Sequence, residues 1–201
     1  MRKLILGMTV TTDGFVCGPN HELEWFMRTR DESVKDRIEK SLWESGIHIM
    51  GRRTFEIMAP YWATSTDQLA EPMNKIPKVV FSKSGFINKT SYDNTSQTIS
   101  PYASTWADAV VATDLVADIT KLKQQEGNPI LAHGGASFAQ ELVKHGLVDE
   151  YRFSIHPVVI GKGISVFATT PHLIDLQLIS STPFPSGAII NVYAAKNTKA
   201  Q

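Results

Sequence analysis

The chain is poor in cysteine. Cys17 is the one cysteine among 201 residues, so no intramolecular disulfide can form, and a disulfide-framed secreted scaffold is excluded. An excess of charge of either sign is also missing. Twenty Lys and Arg balance twenty Asp and Glu, for a formal net charge of zero. That balance argues against a nucleic-acid binder working through a general basic surface, and against a polybasic membrane-surface protein. No apolar window approaches the length of a membrane span. The run Leu4 to Val10 follows a basic start but is too short for the core of a signal peptide, and it reads as a first strand. The expected location is the cytoplasm. Two glycosylation sequons, at Asn88 and Asn94, therefore read as polar loop residues. The six histidines lie far apart and show no metal-binding spacing, so no metal is expected. Internal repeats are absent.

What is present is ordinary globular composition, with 42% apolar and 20% charged residues. The length suits one domain with a substantial core. Short apolar runs alternate with helical patterns, which implies an α/β domain. Strands are expected at Leu4 to Val10, Ile47 to Met50, Lys78 to Phe81, Ala109 to Ala112 and Ile130 to Ala132. A helix is expected from Asp31 to Glu44, with Val34, Ile38 and Leu42 on one face, Asp31 as its cap and Gly46 past its end. A short helix from Arg53 to Met58 should stop before Pro60. Asp114 should cap a helix carrying Leu115, Ile119 and Leu122. Another should run from the Gly134-Gly135 turn to about Lys144. Asn88 to Thr105 reads as a polar surface connection. From Asp149 the pattern turns to alternation: Tyr151 to Ile155, continued by Val158 to Ile160, then Leu173 to Ile179, a Pro185-Ser186-Gly187 turn, and Ala188 to Tyr193. These form an antiparallel hairpin on a largely parallel sheet. Residues 196–201 read as a frayed tail.

Three turns carry candidate chemistry. Ala132-His133-Gly134-Gly135-Ala136-Ser137-Phe138 takes a strand through two glycines into a helix. Glycine permits a tight turn and close backbone approach by a ligand, and the new helix start offers unpaired N–H groups to an anion. Gly51-Arg52-Arg53-Thr54 repeats the arrangement with two guanidiniums, whose forks suit phosphate oxygens. Phe81-Ser82-Lys83 adds a hydroxyl and an ammonium at a third strand tip, and strand tips are where α/β ligands bind. Each turn alone could be structural, but together they favour one anion-binding rim. The spaced-glycine dinucleotide fingerprint and the P-loop lysine motif are both missing. Trp25, Phe55, Tyr61 and Trp62 could line a flat apolar pocket or serve as core. His133 and His156 end strands near the rim. Cys17 lacks an evident histidine partner.

The order of these turns resembles the dihydrofolate reductase fold. More closely, the chain is similar to the bifunctional deaminase-reductase C-terminal domain family, which is the reductase domain of riboflavin biosynthesis and its stand-alone relatives. Asp13-Gly14-Phe15 after the first strand, Leu147 to Arg152, and Pro157 to Gly163 followed by Phe167 extend the likeness from about Arg2 to Tyr193. The resemblance implies a three-layer α/β/α domain over 1–195, with a mixed, mostly parallel sheet. It implies NADPH as cofactor, with Gly51, Arg52, Arg53, Thr54, Phe81, Ser82, Lys83, Gly134, Gly135, Ala136, Ser137 and Phe138 around it. Substrate would meet Asp13, Phe15, Trp25, Phe55 and Pro157. Asp13 and Glu22 are the candidate catalytic acids, though Asp13 also suits a simple turn and Glu22 a solvated loop. The expected activity is NADPH-dependent hydride transfer to a small pterin-like or pyrimidine-like heterocycle. The alternative is an NADP(H)-binding protein without significant turnover. The resemblance further implies a homodimer with no nucleic-acid or membrane partner. The zinc-deaminase signature is missing, so riboflavin synthesis proper is not expected. Arg52, Arg53 and Lys83 are expected to gather at one phosphate rim, with their balancing acids elsewhere.

Overall fold

The computed structural model describes residues 1–28, 31–88 and 104–196. In chain order the elements are β1 (Leu4–Thr11), β2 (Phe15–Cys17), α1 (Glu24–Arg28), α2 (Glu32–Trp43), β3 (Ile47–Gly51), α3 (Arg52–Thr64), α4 (Ala70–Lys75), β4 (Lys78–Phe81) and α5 (Ser104–Ala107). They continue as β5 (Val110–Ala112), α6 (Leu115–Gln124), β6 (Ile130–Ala132), α7 (Ala136–Lys144), β7 (Glu150–His156), β8 (Ile164–Ser165), β9 (Leu176–Pro183) and β10 (Ile189–Ala195). Eight strands make one sheet in the order β5-β4-β3-β6-β1-β7-β10-β9. The first six in that order run parallel, and β10 pairs antiparallel with both β7 and β9. The fold is thus α/β with a mixed, mostly parallel sheet and an antiparallel hairpin.

Strand alternation sends side chains to two helical layers. Leu4, Leu6, Ile49, Val79 and Ala132 pack with Ile119 of α6 and Phe138, Ala139 and Leu142 of α7. Ile5, Met50, Val80 and Leu131 face the other way, against Leu42 of α2, Phe55 and Ala59 of α3 and Met73 of α4. Val34 of α2 reaches Ile190 and Val192 of β10. Because parallel strands are covered on both faces, they read as nearly continuous apolar runs.

Several boundaries differ from the sequence expectation. The helix after Gly51 does not stop before Pro60, because it continues to Thr64 with Pro60 inside it. Proline removes one backbone donor, but Phe55, Ala59 and Ala63 lie on one buried face on either side of it. Tertiary burial outweighs the local penalty. Val158 to Ile160 does not continue a strand, since β7 ends at His156. The segment is instead held as a loop, with Ile160 and Gly161 donating to the Asp13 carboxylate. The hairpin turn stands as expected, with Gly187 at φ +82°. Most of the Asn88 to Thr105 connection, and the tail beyond Lys196, lie outside the described residues.

Candidate functional site

A cleft of about 960 Å³ opens beside the C-terminal ends of β1, β3, β4 and β6. At one end it is bordered by the first turns of α3 and α7. Both helices begin on a glycine, Gly51 and Gly135, with no side chain capping the first turn. Their leading N–H groups are therefore open to an anion. The two turns are stitched together: Gly51 N–H donates to the Gly134 carbonyl at 3.0 Å, and Gly135 N–H donates to Thr54 Oγ1 at 2.5 Å. The Gly134-Gly135 peptide is cis, and Gly134 has φ +84°, a conformation that glycine adopts without strain. Both turns are closely packed at these glycines. A Cβ at Gly51 would lie 3.1 Å from Phe138 Cβ, and one at Gly135 would lie 3.0 Å from Thr54 Oγ1.

Cations gather at this end, but their acids are close by, contrary to the sequence expectation. Arg52 Nε pairs with Glu56 Oε1 at 2.7 Å, and its guanidinium lies 5.1 Å over the Phe86 ring. Lys83 Nζ sits 3.2 Å from Glu141 Oε2, and this contact holds the Glu141 carboxyl below its ordinary range. Glu56 is one helical turn beyond Arg52, and Glu141 projects from α7, so helix geometry brings both acids in. Exposed pairs of this kind contribute about 0–1 kcal/mol, which leaves the cations able to exchange partners. Arg53 Nη1 faces His21 Nε2 at 3.2 Å. The uncapped helix starts, the glycine cradle and the cations together fit a dinucleotide diphosphate.

The other end of the cleft is largely apolar. Leu131, Leu42, Met58, Trp62, Met73 and Trp25 contribute to its walls. Polar groups rise from the sheet beneath. Arg152 Nε bonds Glu150 at 2.7 Å, while its Nη1 donates to Ser41 Oγ at 2.6 Å and so braces α2 against β7. His133 stacks edge-on against His48, with ring centroids 4.5 Å apart. Burial, then the nearby Lys78 ammonium, lowers the His133 imidazole to about 4, so the ring is neutral at physiological pH. Burial lowers Lys78 itself to about 7.

The sequence-derived site residues divide clearly. Gly51, Arg52, Arg53, Thr54, Phe81, Ser82 and Lys83 line the cleft together with Gly135, Ala136, Ser137 and Phe138. Gly134 stands just behind them as the carbonyl that receives Gly51 N–H. Trp25 also lines the cleft. The two candidate acids are not among the lining residues. Asp13 accepts from Ile160 and Gly161 N–H at 3.2 and 2.7 Å, and its carboxyl is lowered first by Thr11 and then by these backbone donors. Glu22 folds onto Asn20, accepting from its N–H at 2.8 Å and its Nδ2 at 2.7 Å. Phe15 pairs in β2 with Ser165, Pro157 packs near the Gly187 turn, and Phe55 is core against Trp106.

Cys17, expected to lack a histidine partner, has one: Sγ lies 3.9 Å from His21 Nδ1 on the cleft wall. Burial raises its thiol, and Glu22 adds to that. The tight turn after β2 brings the two together. Sequence reasoning also passed over Arg37, Ser41 and Arg152. Arg37 and Ser41 sit beside Ile38 and Leu42 on the inner side of α2, and polar residues flanking an apolar stripe were the available signal. Among the described residues no cluster of three or more His, Cys, Asp or Glu could hold a metal ion, and no helix is long and apolar enough to cross a membrane.

Comparison with known proteins adds an independent line. A protein-family model described as RibD C-terminal domain matches residues 2–190. The uncharacterised protein YyaP of Bacillus subtilis (strain 168) is 30% identical over 193 residues, which cover 96% of this chain and 94% of that protein. A pyrimidine reductase-like protein from Corynebacterium diphtheriae superposes with a TM-score of 0.63 at 14% identity, covering 97% of this chain and 92% of the other. A deaminase/reductase from Thermotoga maritima does so at 0.65 and 12%, with 97% of this chain spanning 57% of that longer one. At these identities the structural matches speak for the fold.

Proposed function

The chain belongs to the RibD C-terminal domain family, and from that premise we propose that it is an NADPH-dependent reductase of a small pterin-like or pyrimidine-like heterocycle. The observation that carries this reading is a cleft that joins the paired Gly51 and Gly135 helix starts to an apolar compartment. NADPH, when bound, supplies the hydride. The chain's own residues do the rest. Backbone N–H groups at the starts of α3 and α7 hold the diphosphate. Arg52, Arg53, Ser82 and Lys83 meet the additional phosphate that distinguishes NADPH from NADH. Trp25, Leu131 and Trp62 exclude water and cover a flat ring.

One observation favours a second reading, an NADP(H)-binding protein without significant turnover. Neither Asp13 nor Glu22 lines the cleft, and both carboxylates are occupied by backbone donors nearby. Under the reductase reading the proton then comes from water or from a group other than these two acids. NADPH fluorescence titration, followed by absorbance at the reduced-nicotinamide band with a panel of oxidised pterins and pyrimidines, separates the two. Oxidation of NADPH supports the reductase. Binding without oxidation across the panel supports the second reading, and absence of binding overturns both. We also propose a homodimer in the cytoplasm. Support for self-association comes from β9, an edge strand exposed almost throughout, with Leu178 and Ile179 in solvent.

A further inference from the structure

We propose that His21 and Arg53 form a proton-linked clamp for a phosphate group. An anion entering between them replaces their mutual hydrogen bond, and His21 takes up a proton from solvent as it turns from acceptor to donor. The clamp rests on the reading of the glycine-rich end of the cleft as a phosphate site.

The cations at this end are not equivalent. Arg52 leans on Glu56, and Lys83 leans on Glu141. Arg53 has no carboxylate partner among the described residues, and its Nη1 instead meets His21 Nε2 at 3.2 Å. A guanidinium can only donate, so Nε2 is the acceptor and the proton of a neutral ring sits on Nδ1. Nδ1 faces Cys17 Sγ at 3.9 Å, and sulfur is a weak acceptor. His21 and Arg53 are both exposed and both line the cleft, so a solute there can reach the pair.

The local structure holds the two side chains face to face. His21 has φ +69°, the one positive value at a residue other than glycine among the described residues. Its N–H donates to the Gly18 carbonyl at 3.0 Å and closes the turn. Arg53 projects from the first turn of α3, which has no side-chain cap and adds its own positive end. The titratable groups around the ring are Arg53 from α3, the Cys17 thiol from β2 and the adjacent Glu22. Burial, and then Glu22, raise the Cys17 thiol, so it stays uncharged. Glu22 lends a protonated ring partial support, with its carboxylate turned onto Asn20. Without an anion, a protonated His21 and Arg53 are two donors and two like charges facing each other. With an anion between them, both donors are satisfied. Anion binding and protonation of His21 therefore favour each other, by the same factor in both directions.

The test uses the full chain and two probes, NADPH and sulfate. Sulfate stays a dianion across the range in which histidine titrates. His21→Asn removes the titrating ring and suits a positive φ. Between about pH 8 and pH 6, affinity of the unaltered chain for either probe should rise at least roughly fivefold more than that of His21→Asn. Calorimetry near pH 7 in two buffers of different ionisation enthalpy should show the unaltered chain taking up protons as sulfate binds. Sulfate binding that persists with NADPH in place supports the clamp and assigns it to a phosphate on the substrate. Sulfate binding that NADPH abolishes supports it and assigns it to the cofactor. The same pH profile in both chains, sulfate binding without proton uptake, or binding of neither probe would each overturn the clamp. NADPH binding with an unchanged profile overturns the clamp and leaves the reductase reading standing. Proton-linked sulfate binding without NADPH binding refutes the reductase reading and leaves the clamp. Proton uptake is read on the unaltered chain, so the outcome does not hang on the folding of the variant.

Discussion

The Thr54 hydroxyl accepts from Gly135 N–H and so ties the first turn of α3 to the turn before α7. Thr54→Val keeps the shape and removes the acceptor. Leaving that partly buried N–H unpaired should lower stability by roughly 1–3 kcal/mol, read as a shift in the urea midpoint. NADPH affinity should fall with it, because the cradle loosens. Lys78 makes a different prediction. Its ammonium is buried, donates to Thr105 Oγ1 at 2.8 Å and lies 4.5 Å over the Trp106 ring. The folded chain releases this proton near pH 7, and the unfolded chain holds it to about 10.5. Between those values the unfolded state binds more protons, so this residue makes stability rise with pH. Lys78→Met removes that slope. Its midpoint advantage over the unaltered protein should be largest below about pH 7 and shrink toward pH 10.

At the scale of elements, α2 illustrates how a local signal acquires a second role. The period of Val34, Ile38 and Leu42 predicted the helix, and Asp31 predicted its start. Asp31 does cap it, accepting from Ser33 N–H at 2.9 Å, but it also accepts from Ser186 N–H at 3.1 Å. The cap thus fastens α2 to the β9–β10 turn. Hydrogen bonds from Ser33 first, then Ser186, lower this carboxyl to about 2. Its contribution is present above the ordinary carboxylate range and is lost as pH falls through about 2. Asp31→Ala should therefore have a lower urea midpoint at neutral pH, and the difference should close as the pH approaches 2. The helix α3 shows the opposite case. Pro60 read locally as a stop, yet burial of Phe55, Ala59 and Ala63 carries the helix past it. The short elements α1, α4, β2 and β8 escaped sequence reading because each is stabilised by what it packs on, not by its own periodicity.

At the scale of the molecule, the proposed function predicts that cofactor binding in the cleft raises global stability. A ligand that binds only the folded state at one hundred times its Kd adds about 2.7 kcal/mol. For a chain of this size, NADPH at that level should raise Tm by roughly 5–10 °C in a thermal melt. NADH at the same concentration should raise it less, and the gap should narrow with added salt, because the distinguishing contacts are exposed cations. Neutral overall charge is compatible with this, since Arg52 and Lys83 each carry a local acid that a phosphate can displace.

Sequence alone determined the class of fold and which residues come together at the glycine-rich, cationic end of the cleft. Both are written in short-range chemistry: apolar runs that must be covered on two faces, and strand tips where glycine or a cation precedes a helix. Eleven of the twelve residues assigned to that end from sequence do line the cleft, and Gly134 supports them from behind. Only the tertiary structure decided the makeup of the apolar end, where Trp25 alone of the sequence-derived substrate contacts lines the cleft. Trp25 precedes α2, Arg37 and Ser41 lie on it, His133 follows β6 and Arg152 sits in β7, and nothing in their spacing brings them together. The tertiary structure also turned Asp13 and Glu22 away from the cleft, onto the Ile160-Gly161 loop and Asn20. The identity of the Asp13 carboxylate can be read from sequence, but its partner cannot, because the backbone donors that hold it come from a loop nearly 150 residues away.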